Sequence, residues 1–218
     1  MNFEKARFNM VHQQVRTWDV SNRRVLNALL TISREVFVPP EYRKLAYADV
    51  SIPLVDGQET APPRIAARIA QALDPDPTAH VLEVGTGSGY LTALLAMLAK
   101  DVVSIEISPR LHQQARAALA IQNVRNTRVL VGDGTIDRAL EAPFDAIVVT
   151  GSVPVRQALL ERQLKENGRL FVVVGSEPVM EACLITRLGP GNWRKEVLFE
   201  TILPPLRQSA PSVDAFVL

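Results

Sequence analysis

The chain has one cysteine, Cys183, among 218 residues. A single thiol cannot close an internal disulfide. Without a CxxC pair or neighbouring histidines it marks neither a zinc site nor a redox centre, so a buried structural thiol is expected. Net charge is also nearly absent, since 24 Lys and Arg face 23 Asp and Glu. That excludes an overall basic field able to gather nucleic acid or anionic lipid. The N-terminal residues interleave Glu4, Lys5 and Arg7 with apolar ones, which excludes a signal-peptide core and a membrane span there. With no lipidation signal either, the expected location is the cytoplasm. There is no internal repeat or low-complexity tract. A hydrophobic fraction of 47% with 22% charged residues excludes disorder, collagen and coiled coil as descriptions of the whole chain.

What is present reads as one α/β domain over 1–218. From Phe3 to Leu30 apolar residues recur at near-helical spacing. Residues 38–63, with Pro39-Pro40, Pro53, Gly57 and Pro62-Pro63, read mostly as loop, and loops of that length are commonly binding elements. Ile65–Leu73 then reads as an amphipathic helix. From Val81 short apolar runs alternate with helical segments, the pattern of βαβ units feeding a parallel sheet. The expected strands are Val81–Val84, Val102–Ile105, Thr127–Val131, Ala146–Val149 and Leu170–Val174, with helices to Leu98, from Arg110 to Ala120 and from Val155 to Leu164. Past Gly175, Ala182–Leu188 and Trp193–Thr201 flank Gly189-Pro190-Gly191-Asn192 as an antiparallel hairpin. The chain thus divides into N-terminal helices and a substrate loop (1–63), a doubly wound, mostly parallel βαβ core (64–175) and antiparallel C-terminal strands (176–218).

Chemistry concentrates at Glu83-Val84-Gly85-Thr86-Gly87-Ser88-Gly89-Tyr90, a glycine-rich turn between the first strand and its helix. In a doubly wound sheet ligands bind there, beyond the carboxyl ends of the strands. A Walker loop is excluded because Gly-Lys-Ser/Thr is missing. The dinucleotide fingerprint needs two residues between its last two glycines, whereas only Ser88 intervenes. Glu83, just beneath the turn, would repel phosphates and tolerate a cation. The favoured ligand is S-adenosylmethionine, a phosphate-free molecule with a sulfonium, an amino-acid tail and a ribose. Glu106, followed by Ile107, lies 21 positions after Gly85, matching the ~20-residue offset of a ribose-binding carboxylate. Asp133 in Gly132-Asp133-Gly134 follows the third strand, where a carboxylate can accept from an adenine amino group.

Taken together, 81–90, Gly132-Asp133-Gly134, 144–150 ending at Thr150, and Gly168-Arg169-Leu170 resemble the protein-L-isoaspartate O-methyltransferases. Arg34-Glu35-Val36-Phe37-Val38-Pro39, Ala46-Tyr47-Ala48-Asp49 and Gly57-Gln58 are similar to that family's N-terminal substrate region. The resemblance spans roughly 20–175. It implies a Rossmann-like methyltransferase fold, S-adenosylmethionine as cofactor, and isoaspartyl carboxyl methylation in protein repair. The implied cofactor-binding residues are Glu83, Gly85, Thr86, Gly87, Ser88, Tyr90, Glu106, Ile107, Asp133, Gly134 and Thr150. The implied substrate loop is Gln58, Glu59 and Ala61, with Thr60 as candidate catalytic residue and no metal.

One departure bears on catalysis. Where the family carries Gly-Gln-Thr-Ile-Ser-x-Pro, this chain has Gly57-Gln58-Glu59-Thr60-Ala61-Pro62-Pro63, so Ala61 stands at the serine associated with the reacting carboxyl group. Thr60 supplies a hydroxyl one position away, but in an extended segment that side chain faces the other way. A carboxylate acceptor, with a solution pKa of ~4, needs no general base. Accordingly His12, His80 and His112 are expected to be structural or exposed. Losing one donor to the reacting group commonly costs ~100-fold in rate. Two alternatives therefore stand beside isoaspartyl proteins as acceptors. One is a small-molecule carboxylate or hydroxyl acceptor, for which Glu59 is the candidate base. The other is a cofactor-binding protein without isoaspartyl activity. Neither nucleic acid nor membrane is an expected partner.

Overall fold

The structure, a computed structural model, describes residues 2–136 and 142–208. The N-terminal stretch is helical but interrupted. Helix α1 (Phe3–Asn9) runs into a wider turn over Met10–Val15 and a tight one over Arg16–Trp18. It stops at Asp19, whose backbone is left-handed at φ 58°. A second start follows because the Asn22 side chain accepts from the Arg24 amide at 2.9 Å, capping α2 (Arg23–Thr31). The stretch read as helical over Phe3–Leu30 is two helices, with a break that the apolar spacing did not place.

The stretch read as loop over 38–63 has its own order. Pro40–Leu45 forms tight helical turns, and β1 (Ile52–Pro53) pairs antiparallel with β2 (Glu59–Thr60), opposing Ile52 to Thr60. Helix α3 (Pro63–Leu73) opens on a proline, whose missing N–H costs nothing at a first helical position.

The core comprises β3 (His80–Val84), α4 (Tyr90–Leu98), β4 (Asp101–Glu106), α5 (Pro109–Ile121), β5 (Thr127–Val131), β6 (Phe144–Val153), α6 (Ala158–Arg162), β7 (Leu164–Ser176), β8 (Val179–Gly189) and β9 (Asn192–Glu200). They form a seven-stranded sheet in the order β5-β4-β3-β6-β7-β8-β9, parallel from β5 to β7 and antiparallel beyond. The fold class is as read from the sequence, and the hairpin lies where expected. The helix expected over Val155–Leu164 is shorter. Gln157 is not helical, and Leu164 already pairs with Phe144 as the first residue of β7. Residues 209–218 of the C-terminal segment lie outside the described residues.

Strand alternation explains why both faces of the sheet are apolar. Val81, Val102, Ala146, Val148 and Phe171 pack with Ile65, Ile69 and Leu73 of α3 and Leu95 of α4. Leu82, Val84, Val103, Ile147, Val149 and Val172 point to the opposite face, which Leu160 of α6 covers. Cys183 is buried there too. Burying a side chain of this size contributes about 1.5–3 kcal/mol. The strands therefore stay in register, with Val84 beside both Ile105 and Val149. Strand order reverses at β3, whose neighbours β4 and β6 lead the chain in opposite directions. The crevice beyond Val84 is therefore the switch point. Among the described residues, no helix is long and apolar enough to cross a membrane.

Candidate active site

Two adjoining chambers occupy that crevice. The first lies at the carboxyl ends of β3, β4 and β6, where small molecules bind in doubly wound sheets. Gln58, Glu59, Ala61, Gly85, Gly87, Glu106, Ile107, Asp133, Gly134 and Thr150 all line it. The second is lined by Thr60, Glu83, Thr86, Ser88 and Tyr90. Glu59, Ala61, Gly85, Gly87 and Thr150 border both. The structure thus gathers every sequence-nominated residue around one crevice and sorts them into two compartments. Thr60, extended in β2, reaches only the second, whereas its neighbours Glu59 and Ala61 reach both. Its hydroxyl and the Ala61 methyl do not occupy equivalent places.

The glycine turn is held by β6. The Thr150 hydroxyl donates to the carbonyls of Gly85 at 2.6 Å and Val84 at 3.1 Å. A Cβ on Gly85 would come within 2.3 Å of that hydroxyl, and Gly85 also has φ +92°. Both facts require glycine. The Gly87 amide donates to Glu106 Oε2 at 2.8 Å and the Ser108 amide to Oε1 at 2.9 Å. The ribose-candidate carboxylate is therefore aimed by backbone from two elements. Each oxygen retains capacity to accept again. Asp133 Oδ1 accepts from the Thr135 amide and hydroxyl, closing its own turn while lining the first chamber.

Glu83 is fully buried. Its Oε2 accepts from Thr92 at 2.5 Å and Ser104 at 2.6 Å, whereas Oε1 has no partner. Burial pushes its pKa up to about 7, against the opposing hydrogen bonds from Ser104 and Thr92. A buried carboxylate oxygen without a donor, under a turn beside Glu106, disfavours phosphate and suits a positively charged ligand. These residues therefore fit S-adenosylmethionine. None of His12, His80 and His112 lines either chamber. His80 pairs with Asp101 at 2.9 Å at the far end of β3, and His112 meets the Val129 carbonyl at 3.1 Å.

Sequence reasoning missed one wall of the first chamber and two residues that brace the site from behind. The extended strap Leu203–Arg207 closes one side of the first chamber. It is fastened where the Ser152 amide donates to the Pro204 carbonyl at 2.9 Å and the Leu206 amide returns to Ser152 at 2.8 Å. Gly151 permits this approach, because a Cβ there would lie 2.8 Å from the Leu206 nitrogen. Asp56, at the tip of the β1–β2 loop, accepts from Ser108 Oγ at 2.5 Å and Arg110 at 3.0 Å, while its carbonyl accepts from Arg207 at 3.2 Å. The Ser108 hydrogen bond, with Arg110 nearby, holds the Asp56 carboxyl below the usual carboxylate range. The other bracing residue, Arg34, is buried behind Ala61. The glycine beside Ser152 and the Pro204-Pro205 pair were the available signals for the strap. Arg34 stood in a run resembling the family's substrate region, with nothing to show its burial, and Asp56 gave no signal.

Comparison with known proteins agrees with this geometry. The family model for protein-L-isoaspartate(D-aspartate) O-methyltransferase matches residues 5–209, further on both sides than the sequence motifs reached. A Methanoregula boonei protein-L-isoaspartate O-methyltransferase is 42% identical over 75% of this chain and 76% of its own length. One from Magnetococcus marinus is 36% identical over 93% of this chain and 89% of its own. In structure, a Plasmodium falciparum protein described by the same activity and solved with S-adenosyl-L-homocysteine superposes with a TM-score of 0.80. It covers 96% of this chain and 100% of its own at 21% identity.

Proposed function

The chain belongs to the protein-L-isoaspartate O-methyltransferase family, and from that premise we propose that it methylates the free carboxylate of isoaspartyl residues in proteins, using S-adenosylmethionine, as a step in protein repair. The observation that carries this reading is the wall common to the two chambers, where Glu59, Ala61, Gly85, Gly87 and Thr150 face both. A donor with its adenosyl part in the first chamber and its amino-acid part beside Glu83 in the second would present its methyl group at this wall, where an acceptor reaching Ala61 would meet it.

When bound, S-adenosylmethionine supplies an electrophilic methyl group on a sulfonium. Glu83 would balance the positive charge of the donor's amino-acid portion. Glu106 would hold ribose hydroxyls, and Asp133 would take the adenine amino group. The backbone at Gly85 and Gly87 allows close approach. An acceptor carboxylate is already ionised near neutrality, so these residues need only position the reactants and exclude water while charge is cancelled. The β1–β2 loop and the strap, latched together at Asp56, perform the exclusion.

A second reading, transfer to a hydroxyl group of a small molecule, is favoured by Glu59, a carboxylate on the shared wall able to accept a proton. The experiment that decides is transfer of labelled methyl to matched peptides containing isoaspartate or ordinary aspartate. Label in the isoaspartyl peptide alone is expected. Equal labelling of both, or of neither while a hydroxylated metabolite is labelled, overturns the first reading.

A further inference from the structure

Arg34 is fully buried, the largest such side chain among the described residues, and carries a charge the proposed chemistry has not used. It opens the tight turn Arg34–Val36, and its guanidinium is shared between two backbone carbonyls, Ala46 at 2.5 Å and Ala61 at 2.9 Å. The guanidinium carbon lies 5.4 Å from the centre of the Tyr90 ring, within cation–π range. Nε has no acceptor, and among the described residues no carboxylate forms an ion pair with it. Asp49, the acid contributing to its electrostatic surroundings, is engaged by Arg64. Ala61 and Tyr90 both line the second chamber. A cation therefore sits one residue behind the shared wall at Ala61, away from bulk water and, among the described residues, in no ion pair of its own, the nearby Asp49 being taken by Arg64.

Buried charges are normally paired, because desolvation is expensive. Two carbonyl dipoles and an aromatic face do not neutralise a guanidinium. An anion brought to the shared wall at Ala61 would. The second chamber otherwise presents carboxylates, Glu59 and Glu83, which repel an anionic acceptor. We infer that Arg34 supplies the counter-charge for the acceptor carboxylate, acting from behind Ala61 and Tyr90 as a positioning residue that selects anionic over neutral acceptors. This inference rests on the carboxylate acceptor of the proposed function. The bond to the Ala61 carbonyl also draws that oxygen towards Arg34, reducing the negative partial charge that a carboxylate would meet where the family's serine is missing.

The test is equilibrium binding, in the presence of S-adenosylhomocysteine, of an isoaspartyl peptide and of the same peptide with that carboxyl group converted to its carboxamide. The natural protein is expected to prefer the acid by on the order of tenfold, the scale of one charge interaction across a partly screened interior. In Arg34→Met that preference collapses to about onefold while carboxamide affinity stays within about twofold. In Arg34→Lys, which keeps the charge and changes the hydrogen bonds, the preference persists. Equal weakening of both peptides in Arg34→Met, or an undiminished acid preference, overturns the inference and leaves Arg34 a purely structural tie. Should Arg34→Met not fold, loss of the acid preference in Arg34→Lys or its absence from the natural protein overturns it equally. The readout is binding, so it fails separately from the proposed function. A protein that binds the acid through Arg34 but transfers no methyl to it defeats only the latter.

Discussion

Two sides of the crevice are built on opposite plans. The walls of the first chamber come mainly from strand ends and the turns after them: Gly85 after β3, Glu106 and Ile107 at β4, Asp133 after β5 and Thr150 in β6. Neighbouring strands lock those positions, and backbone amides aim the carboxylates. The side of both chambers formed by Glu59 and Ala61 comes instead from the short β1–β2 ribbon. Two residue pairs and the Leu54–Gln58 bond hold it, with long-range contacts from Arg34, Ser108, Arg110 and Arg207. On the proposed reading, donor recognition is built into the scaffold, while the acceptor meets residues held by a two-pair ribbon. That ribbon also carries the run that differs from the family pattern expected from the sequence, at Glu59, Thr60 and Ala61.

The contrast is broken most severely from the donor side. Gly85→Val would drive a side chain into the Thr150 hydroxyl and strain a positive φ, and S-adenosylhomocysteine affinity by calorimetry should fall on the order of 1,000-fold. Glu83→Gln tests the buried acid beneath the turn. Because burial raises its pKa from 4.5 to about 7, the folded chain retains a proton that the unfolded chain sheds between those values. Its contribution is therefore full below about pH 4.5, declines as the pH rises towards 7 and levels off above. The total change is about 3 kcal/mol at 1.36 kcal/mol per pKa unit. Denaturant melts of the ligand-free protein across that range should show this decline in the natural chain and a flat profile in the variant.

On the acceptor side, Ala61→Ser restores a hydroxyl on the shared wall. It should raise kcat on isoaspartyl peptide by up to ~100-fold while leaving donor affinity unchanged. An unchanged kcat would show that this loop has found another route. The smallest effect is expected for Asp56→Asn, which keeps a residue tolerant of left-handed backbone but removes the charge facing Arg110. Exposed pairs contribute little. A two- to threefold faster release of S-adenosylhomocysteine, measured by stopped flow, is the expected change.

The same contrast decides what could be read in advance. The strands, the glycine turn and the acids at Glu106 and Asp133 follow from patterns a few residues long, and the sheet brings them together through repeated βαβ geometry. The acceptor side depends on contacts that local patterns do not encode. Arg34 reaches Ala61 across 27 positions, and Arg207 reaches Asp56 across 151. Arg34 read simply as part of a family motif, and nothing in its neighbours betrayed its burial. The helix ends failed for another reason. The apolar residues of 155–164 suit a strand start as well as a helix, and pairing of Leu164 with Phe144 settled the competition in favour of β7. Likewise the break at Asp19 came from a backbone conformation invisible to hydrophobic spacing.

The strap Leu203–Arg207 lies about fifty positions beyond Thr150, yet the two form adjacent walls of one chamber. A chain cut before Leu203 would keep all nine strands, the last ending at Glu200, and lose one wall of that chamber.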